Sequence, residues 1–299
     1  MFKRGSMPYI CVFTPTYNRS GYLRRIFDCL TRQSFDDFEW LIVDDGSTDD
    51  TKEVVENFSN IASFPIRYIY QENGGKQRAT NLAVDLCNCP IFFGLDSDDW
   101  LVENALEVVA HYFRSIWNDD DIAGIIALRG SEVDLPLGTW MPSGLSEVNV
   151  WDLYYEYGFK GDAAQIYKTN ILKRYPYPVV EGEQFISEGI VSYSIAQHYK
   201  MSLVNQVLVL GTYQEGGLTD NSYSLIRQNP LGYILVKELS LNMSKHFVQK
   251  CYQMTLLLAA YRIAHKKGHF RSCEHRFLAI LCYIPSRFAF YLLMRDGKH

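Results

Sequence analysis

The sequence predicts an α/β fold in which a mostly parallel central sheet carries helices on both faces, followed by a C-terminal helical extension. Three observations carry that expectation. Five short apolar runs recur within the first 127 residues, segments of helical period separate them, and polar, acid-rich clusters stand directly behind several of the runs. Apolar runs joined through helices need crossover connections, which are right-handed and cover both faces of the sheet.

Tyr9 to Phe13 is the first strand, and Leu23, Ile26, Phe27 and Leu30 recur at the spacing of one helix face. Phe38 to Val43 is the second strand and Ile66 to Tyr70 the third. Ala79, Leu82, Ala83 and Leu86 then mark a helix that leads to the fourth strand, Ile91 to Leu95. Leu106, Val109, Ala110 and Phe113 form another apolar stripe before the fifth strand, Ile122 to Ala127. From Leu128 onward Gly130, Pro136, Gly138, Pro142 and Gly144 punctuate a polar stretch, so loops over a scaffold are expected there, then the aromatic run Trp151 to Phe159. Ile190 to His198 reads as a helix and Leu203 to Leu210 as a strand, with no clean linker between the halves.

The last hundred residues read as helices: Met254 to Ala264, then Phe277 to Ile284 and Phe288 to Met294 on either side of Pro285 and Ser286. Each is too short to span a bilayer. Phe277, Ile280, Leu281 and Ile284, flanked by Arg271, Arg276, Arg287 and Arg295, fit a helix lying in a membrane interface; a helical pair packed on the body is the alternative.

Composition bounds the function. With 47% hydrophobic and 21% charged residues, the 299-residue chain has the makeup of a folded globular protein. Its net charge of −5 conceals a tail, residues 262–299, with eight Lys or Arg against two acids, and a body of −11. Basic character confined to one end argues against nucleic acid as a partner. Seven scattered cysteines do not form a disulfide framework, and Cys87 and Cys89 lack the second pair a metal site needs, so reduced thiols are expected. Met1 to Ser6 runs into Pro8 and a short apolar stretch, unlike a signal peptide, which points to the cytoplasm.

In a mostly parallel sheet the ligand crevice lies at the carboxyl ends of the strands. There the sequence sets Thr14-Pro15-Thr16-Tyr17-Asn18-Arg19 after the first strand, Asp44-Asp45-Gly46-Ser47 after the second, and Asp96-Ser97-Asp98-Asp99 after the fourth. Adjacent carboxylates repel, and a hard divalent cation relieves that; a solvated turn or a helix cap is the plainer reading. Ser47 or Thr48 is expected to cap the next helix, which leaves the two acids at the strand end to accept from a base imide or a ribose hydroxyl. Asn73-Gly74-Gly75-Lys76-Gln77-Arg78 opens a helix, with free N–H groups and two cations where an anion would bind, or it is a glycine turn followed by solvated charges.

Taken in order, Thr14-Pro15-Thr16-Tyr17-Asn18-Arg19, Val43-Asp44-Asp45-Gly46-Ser47-Thr48-Asp49, Asn73-Gly74-Gly75 and Leu95-Asp96-Ser97-Asp98-Asp99-Trp100 resemble glycosyltransferase family two. These are inverting, nucleotide-sugar-dependent enzymes of the Rossmann-like GT-A fold. The likeness is strong over residues 8 to about 128. It continues less tightly to about 221, through Gly161-Asp162, Glu181-Gly182-Glu183 and Gly217 to Asn221.

The resemblance implies a nucleotide-sugar-binding half at 1–128 and an acceptor-binding half at 129–225 within one GT-A domain, with 226–299 as the extension. It implies that Thr14, Pro15 and Tyr17 wall the base, that Asp44 or Asp45 reads its imide and the ribose, and that Lys76 and Arg78 meet the diphosphate. Asp96 and Asp98 would be the acidic pair that holds Mn²⁺ or Mg²⁺. The base expected in an inverting transfer would be Glu188, in Ser187-Glu188-Gly189-Ile190, although Gly189 replaces the second acid usual in the family. Asp162, Glu181 and Glu183 are the other acids available. Trp140, Trp151, Tyr154, Tyr155 and Tyr157 stack on sugars or pack the core.

The function expected is transfer of a sugar from a nucleotide-diphosphate donor, a UDP-sugar, to a saccharide or lipid-linked saccharide hydroxyl in polysaccharide synthesis. Residues 270–299 would hold the protein peripherally on the inner membrane face. A nucleotidyltransferase of similar layout and a catalytically silent saccharide-binding protein are the alternatives.

Overall fold

Side chains of the first strand are buried on both faces, as expected where helices cover a sheet from both sides. In the computed structural model, which describes residues 9–211, 222–265 and 275–294, β1 (Ile10–Thr16), β2 (Phe38–Asp44), β3 (Ile66–Tyr70) and β4 (Ile91–Gly94) are the four expected strands of the first half. They pair in parallel in the order β3-β2-β1-β4. Thr16 is in register with Asp44 and Phe13 with Gly94, so the carboxyl ends of β2, β1 and β4 lie side by side.

The helices between them are α1 (Ser20–Thr31), α2 (Thr51–Ile61) and α3 (Lys76–Leu86). The apolar stripes of α1 and α2 meet the sheet around Trp40: Phe27 stacks on Phe58 with ring centroids 4.4 Å apart, and Trp40 is fully buried beside Phe58. Truncating such a side chain to Ala costs about 3–5 kcal/mol.

Beyond β4 the chain forms β5 (Trp100–Leu101), α4 (Ala105–Ile116), β6 (Ile122–Glu132), β7 (Leu135–Pro136), β8 (Glu147–Val148), α5 (Val150–Tyr155), β9 (Ala163–Lys168) and α6 (Thr169–Leu172). After α7 (Gly189–Ala196) comes β10 (Lys200–Leu210). The sheet is α/β as expected but mixed in this half. β9 inserts antiparallel between β4 and β6, and β10 returns parallel to β6. Where loops were expected after Leu128, β6 runs on to Glu132 and turns into β7, and the aromatic run contains α5, whose Asn149 cap accepts from the Trp151 N–H at 2.9 Å. The helix expected to reach His198 stops at Ala196.

The chain divides into two compact units, residues 1–176 with 198–212, and residues 177–197 with 213–299. The second contains α7, α8 (Ser222–Gln228), α9 (Pro230–Met243), α10 (Phe247–Ile263), α11 (Arg276–Leu281) and α12 (Tyr283–Met294). Ile234, Leu241, Met254, Leu257 and Leu278 form its core. The break expected at Pro285 and Ser286 falls instead at Cys282. Pro285 lies in the first turn of α12, where a missing N–H leaves no intrahelical bond unmade. Among the described residues no helix is long and apolar enough to cross a membrane. The six described cysteines carry free thiols, as the sequence suggests. Arg271, Arg295 and residues 217–221 lie outside the described residues.

Candidate active site

The loops that follow β1 and β2 are clasped to each other. Asn18, at φ +51°, donates its N–H to Ser47 Oγ at 2.8 Å, and its Oδ1 accepts the Thr48 N–H at 2.7 Å. Ser47 and Thr48 are therefore spent on this clasp and do not cap α2. Asp49 serves that helix start instead, accepting the Thr51 N–H at 3.1 Å. Gly46, at φ +87°, permits the close approach of the next loop, since a Cβ there would meet the Asn73 backbone nitrogen at 2.8 Å.

Asp44 and Asp45 are both buried and both hydrogen-bonded. Asp44 accepts from the Ser47 N–H at 2.7 Å and the Tyr68 hydroxyl at 2.5 Å. Burial first, then that carboxylate, drives the Tyr68 phenol well above its ordinary value. Asp45 accepts from Gln71 Nε2 at 2.6 Å and from the Gly74 and Gly75 N–H groups at 2.9 and 2.8 Å, which ties the glycine turn to the end of β2. Two of those turn donors are thus engaged internally, with Asp45 as the anion.

Around β1, Pro15 is half-buried and Tyr17 exposed at the strand's carboxyl end. Thr14 lies two residues before the end of that strand. It is fully buried and its Oγ1 accepts from Trp40 Nε1 at 3.0 Å. Thr16, on the same face as Thr14, has a buried Oγ1 without a protein partner.

The acidic cluster after β4 is matched acid by acid with cations from three other segments. Lys76 Nζ lies 2.6 Å from Asp96, Arg19 Nη1 lies 3.4 Å from Asp98 and also bonds Ser97 Oγ, and Arg129 grips Asp99 through two bonds of 2.6 and 2.9 Å. Arg129 reaches Asp162 as well, at 3.1 Å. Desolvation opposes ionisation of Asp96, yet Lys76, with help from Arg129 and Arg19, holds its carboxyl below the usual range. At Asp99 burial wins and pushes the carboxyl up to about 6 against the pull of Arg129. Arg78 is exposed on the first turn of α3, its stem folded over Gly74.

Asp96 and Asp98 remain partly exposed and offer only oxygen donors. That set fits Mg²⁺ or Mn²⁺, which takes one or two carboxylates and completes its shell from phosphate oxygens. Among the described residues no group of three or more His, Cys, Asp or Glu side chains gathers as a metal cluster.

Glu188 lies in the second unit, exposed at the start of α7, with its carbonyl accepting the Val191 N–H at 3.1 Å. Glu181 is exposed nearby in sequence. Glu183 is buried and both its oxygens accept backbone N–H groups, from Leu231 and Gly232, at 2.7 Å each. Asp162 is engaged by Arg129. Sequence reasoning missed Arg129 and gave Arg19 no role; a lone cation closing the apolar run of β6 was the signal that could have found the first. Of the aromatics, Trp151 is buried and stacks on Tyr155 at 3.9 Å, whereas Trp140 and Tyr157 are exposed.

Residues 11–175 match the profile of Glycosyl transferase family 2. The chain is 38% identical over 109 residues to the chondroitin synthase of Escherichia coli, a stretch that makes up 36% of this chain and 16% of that protein. It resembles the structure of Staphylococcus aureus TarS 1-349 in complex with UDP-GlcNAc, with a TM-score of 0.59 and 20% identity over 96% of this chain and 81% of that one. The mannosyltransferase PcManGT from Pyrobaculum calidifontis, in complex with GDP-Man and Mn²⁺, shows a TM-score of 0.56 and 16% identity over 97% and 85% of the two chains. At these identities the structures share the GT-A fold.

Proposed function

The chain belongs to glycosyltransferase family 2, and from that premise we propose that it transfers a sugar, with inversion, from a nucleotide-diphosphate donor to a saccharide or lipid-linked saccharide hydroxyl in polysaccharide synthesis. A UDP-sugar is the donor this reading favours, in keeping with the UDP-GlcNAc complex of TarS. The observation that carries the reading is the cross-linking of four separate motif segments: Asn18 to Ser47 and Thr48, Asp45 to Gly74 and Gly75, Lys76 to Asp96, and Arg19 to Asp98. Residues 1–225 are assigned to the transferase domain and 226–299 to a helical extension.

In this reading Pro15 and Tyr17 flank the base. Asp44 and Asp45 each keep unused lone pairs for the imide and ribose, while holding the loops that shape the crevice. Asp96 and Asp98 would hold Mn²⁺ or Mg²⁺, which would supply positive charge to offset the negative charge that grows on the leaving diphosphate. Lys76, Arg78 and Arg19 add positive charge along the same phosphates. Glu188 accepts the proton of the acceptor hydroxyl as its oxygen bonds to the anomeric carbon and the carbon–oxygen bond to the diphosphate breaks.

The lipid-linked branch is supported by α11 and α12. Phe277, Ile284 and Phe288 are 77, 78 and 66% exposed. Arg276 and Arg287 are exposed beside them, and residues 275–294 contain no acid. Apolar side chains facing outward with cations among them suit an anionic membrane surface, and we assign the segment a peripheral role there.

The test is product analysis. Incubation with UDP-GlcNAc, other UDP-sugars or GDP-Man, with Mn²⁺ and oligosaccharide acceptors, is expected to yield nucleoside diphosphate and a product of inverted anomeric configuration by NMR. Release of pyrophosphate from a nucleoside triphosphate would favour nucleotidyl transfer, and donor binding without any product would favour a silent binding protein.

A further inference from the structure

Glu183 is a buried carboxylate that accepts from backbone N–H groups at the N-terminus of the 14-residue helix α9. Such a helix end presents free donors and a partial positive charge, which a carboxylate normally supplied by the cap residue would satisfy. Here the cap residue Asn229 does not cap. It turns its side chain outward instead: Oδ1 accepts the Gln184 and Phe185 N–H groups at 2.9 and 3.0 Å, while Nδ2 donates to the Leu225 carbonyl at 3.0 Å. The two segments have exchanged caps. Glu183 closes α9, and the α9 cap residue closes the backbone that follows Glu183.

The exchange requires close approach. A Cβ on Gly232 would sit 3.0 Å from the Phe185 carbonyl oxygen and 3.3 Å from Glu183 Oε2. Ile186 is buried immediately afterwards. On its other side, Glu188 is held by the first turn of α7, where its carbonyl accepts from Val191 and Ser192 at 3.1 and 3.3 Å. Only Ile186 and Ser187 separate Phe185 from Glu188, three steps with a reach of about 10 Å at full extension, so fixing residues 183–185 limits where Glu188 can lie.

We infer that Glu183 and Asn229 are positioning residues for Glu188, set to hold the proton-accepting loop in one geometry. The inference rests on the assignment of Glu188 as the base. It also explains why Glu183, an acid of the same segment, does not compete with Glu188 as proton acceptor, since both its oxygens are committed to α9.

Kinetics of four variants test it on the whole chain, with rates expressed per folded enzyme. Asn229→Leu keeps the branched shape with somewhat more bulk and loses both acceptor contacts and the bond to Leu225, so kcat is expected to fall about 10- to 100-fold, the scale of a sub-ångström to 1 Å misplacement, with donor KM unchanged. Asn229→Asp keeps the acceptor contacts and is expected to retain kcat within about threefold. Amide exchange at Gln184 and Phe185 should quicken in the Leu variant alone. A merely structural residue would lower the folded fraction and leave kcat per folded enzyme in place, and that result overturns the inference. If Asn229→Leu does not fold, Gly232→Ala, which pushes on the Phe185 carbonyl, is expected to lower kcat with donor KM held, and an unchanged kcat there overturns it equally. Glu188→Gln separates the two levels: full activity removes the base assignment itself, whereas an inactive Glu188→Gln beside a fully active Asn229→Leu removes only the positioning.

Discussion

Replacing Arg129 by Leu strands a buried acid. Arg129 and Asp99 are 17 and 8% exposed and joined by two bonds of 2.6 and 2.9 Å. Removing one partner of such a pair costs about 3–5 kcal/mol, because the other charge stays behind without compensation. For a unit of this size that corresponds to a fall of about 6–20 °C in melting temperature. The pH dependence identifies the cause. Burial holds the Asp99 carboxyl at about 6 in the folded chain, against about 3.9 when unfolded. Between those values the folded chain binds the extra proton, so this group's contribution to stability falls as pH rises. Without Arg129 the folded value climbs further, and the window in which stability falls extends upward with it. The deficit of Arg129→Leu relative to wild type should therefore be largest above pH 7 and shrink towards pH 5, and the added change Asp99→Asn should recover much of it at pH 7.5. Denaturant unfolding of wild type, Arg129→Leu and the double variant at pH 5, 6.5 and 8 measures this. A deficit below about 1 kcal/mol, or one of constant size across that range, would refute the reasoning.

In the second unit, burial lowers Lys237 to about 8, with its ammonium donating to Gln253 Oε1 at 3.1 Å. Since the unfolded chain binds more protons between about 8 and 10.4, stability should rise with pH over that interval, and Lys237→Met should abolish the rise while stabilising the unit at pH 7 by about 1–3 kcal/mol; pH-dependent unfolding checks both. Ile284→Asp with Phe288→Asp, on the exposed face of α12, should cut flotation with phosphatidylglycerol-containing liposomes several-fold and leave sugar transfer to a soluble acceptor intact; unaltered flotation would remove the membrane role.

The legible part of the molecule was the part that local pattern dictates. β1, β2 and β4 are buried runs with polar loops behind them, and parallel pairing alone then brings Tyr17, Asp45 and Asp96 to one edge. β9 was hidden because Ala163-Ala164-Gln165-Ile166-Tyr167-Lys168 is half-buried and lacks a clean alternation. That Thr14 is buried against Trp40 was not legible either, because a motif position does not say which face of the strand a side chain takes. Likewise the use of Ser47 and Thr48 is set by Asn18, some thirty residues away, and no spacing within their own loop reveals it. The cap exchange between Glu183 and Asn229 joins residues 46 apart in the chain, and only the folded second unit discloses it.

The most direct test of the sugar-transfer assignment is the initial rate of nucleoside diphosphate release from the preferred donor, with acceptor present, for wild type and Asp98→Ala after chelation and again after adding Mn²⁺. Release that stops on chelation, returns with Mn²⁺ in wild type and stays below about 1% in Asp98→Ala is the outcome expected of charge neutralisation at the leaving group. Equal rates in all four conditions would contradict it.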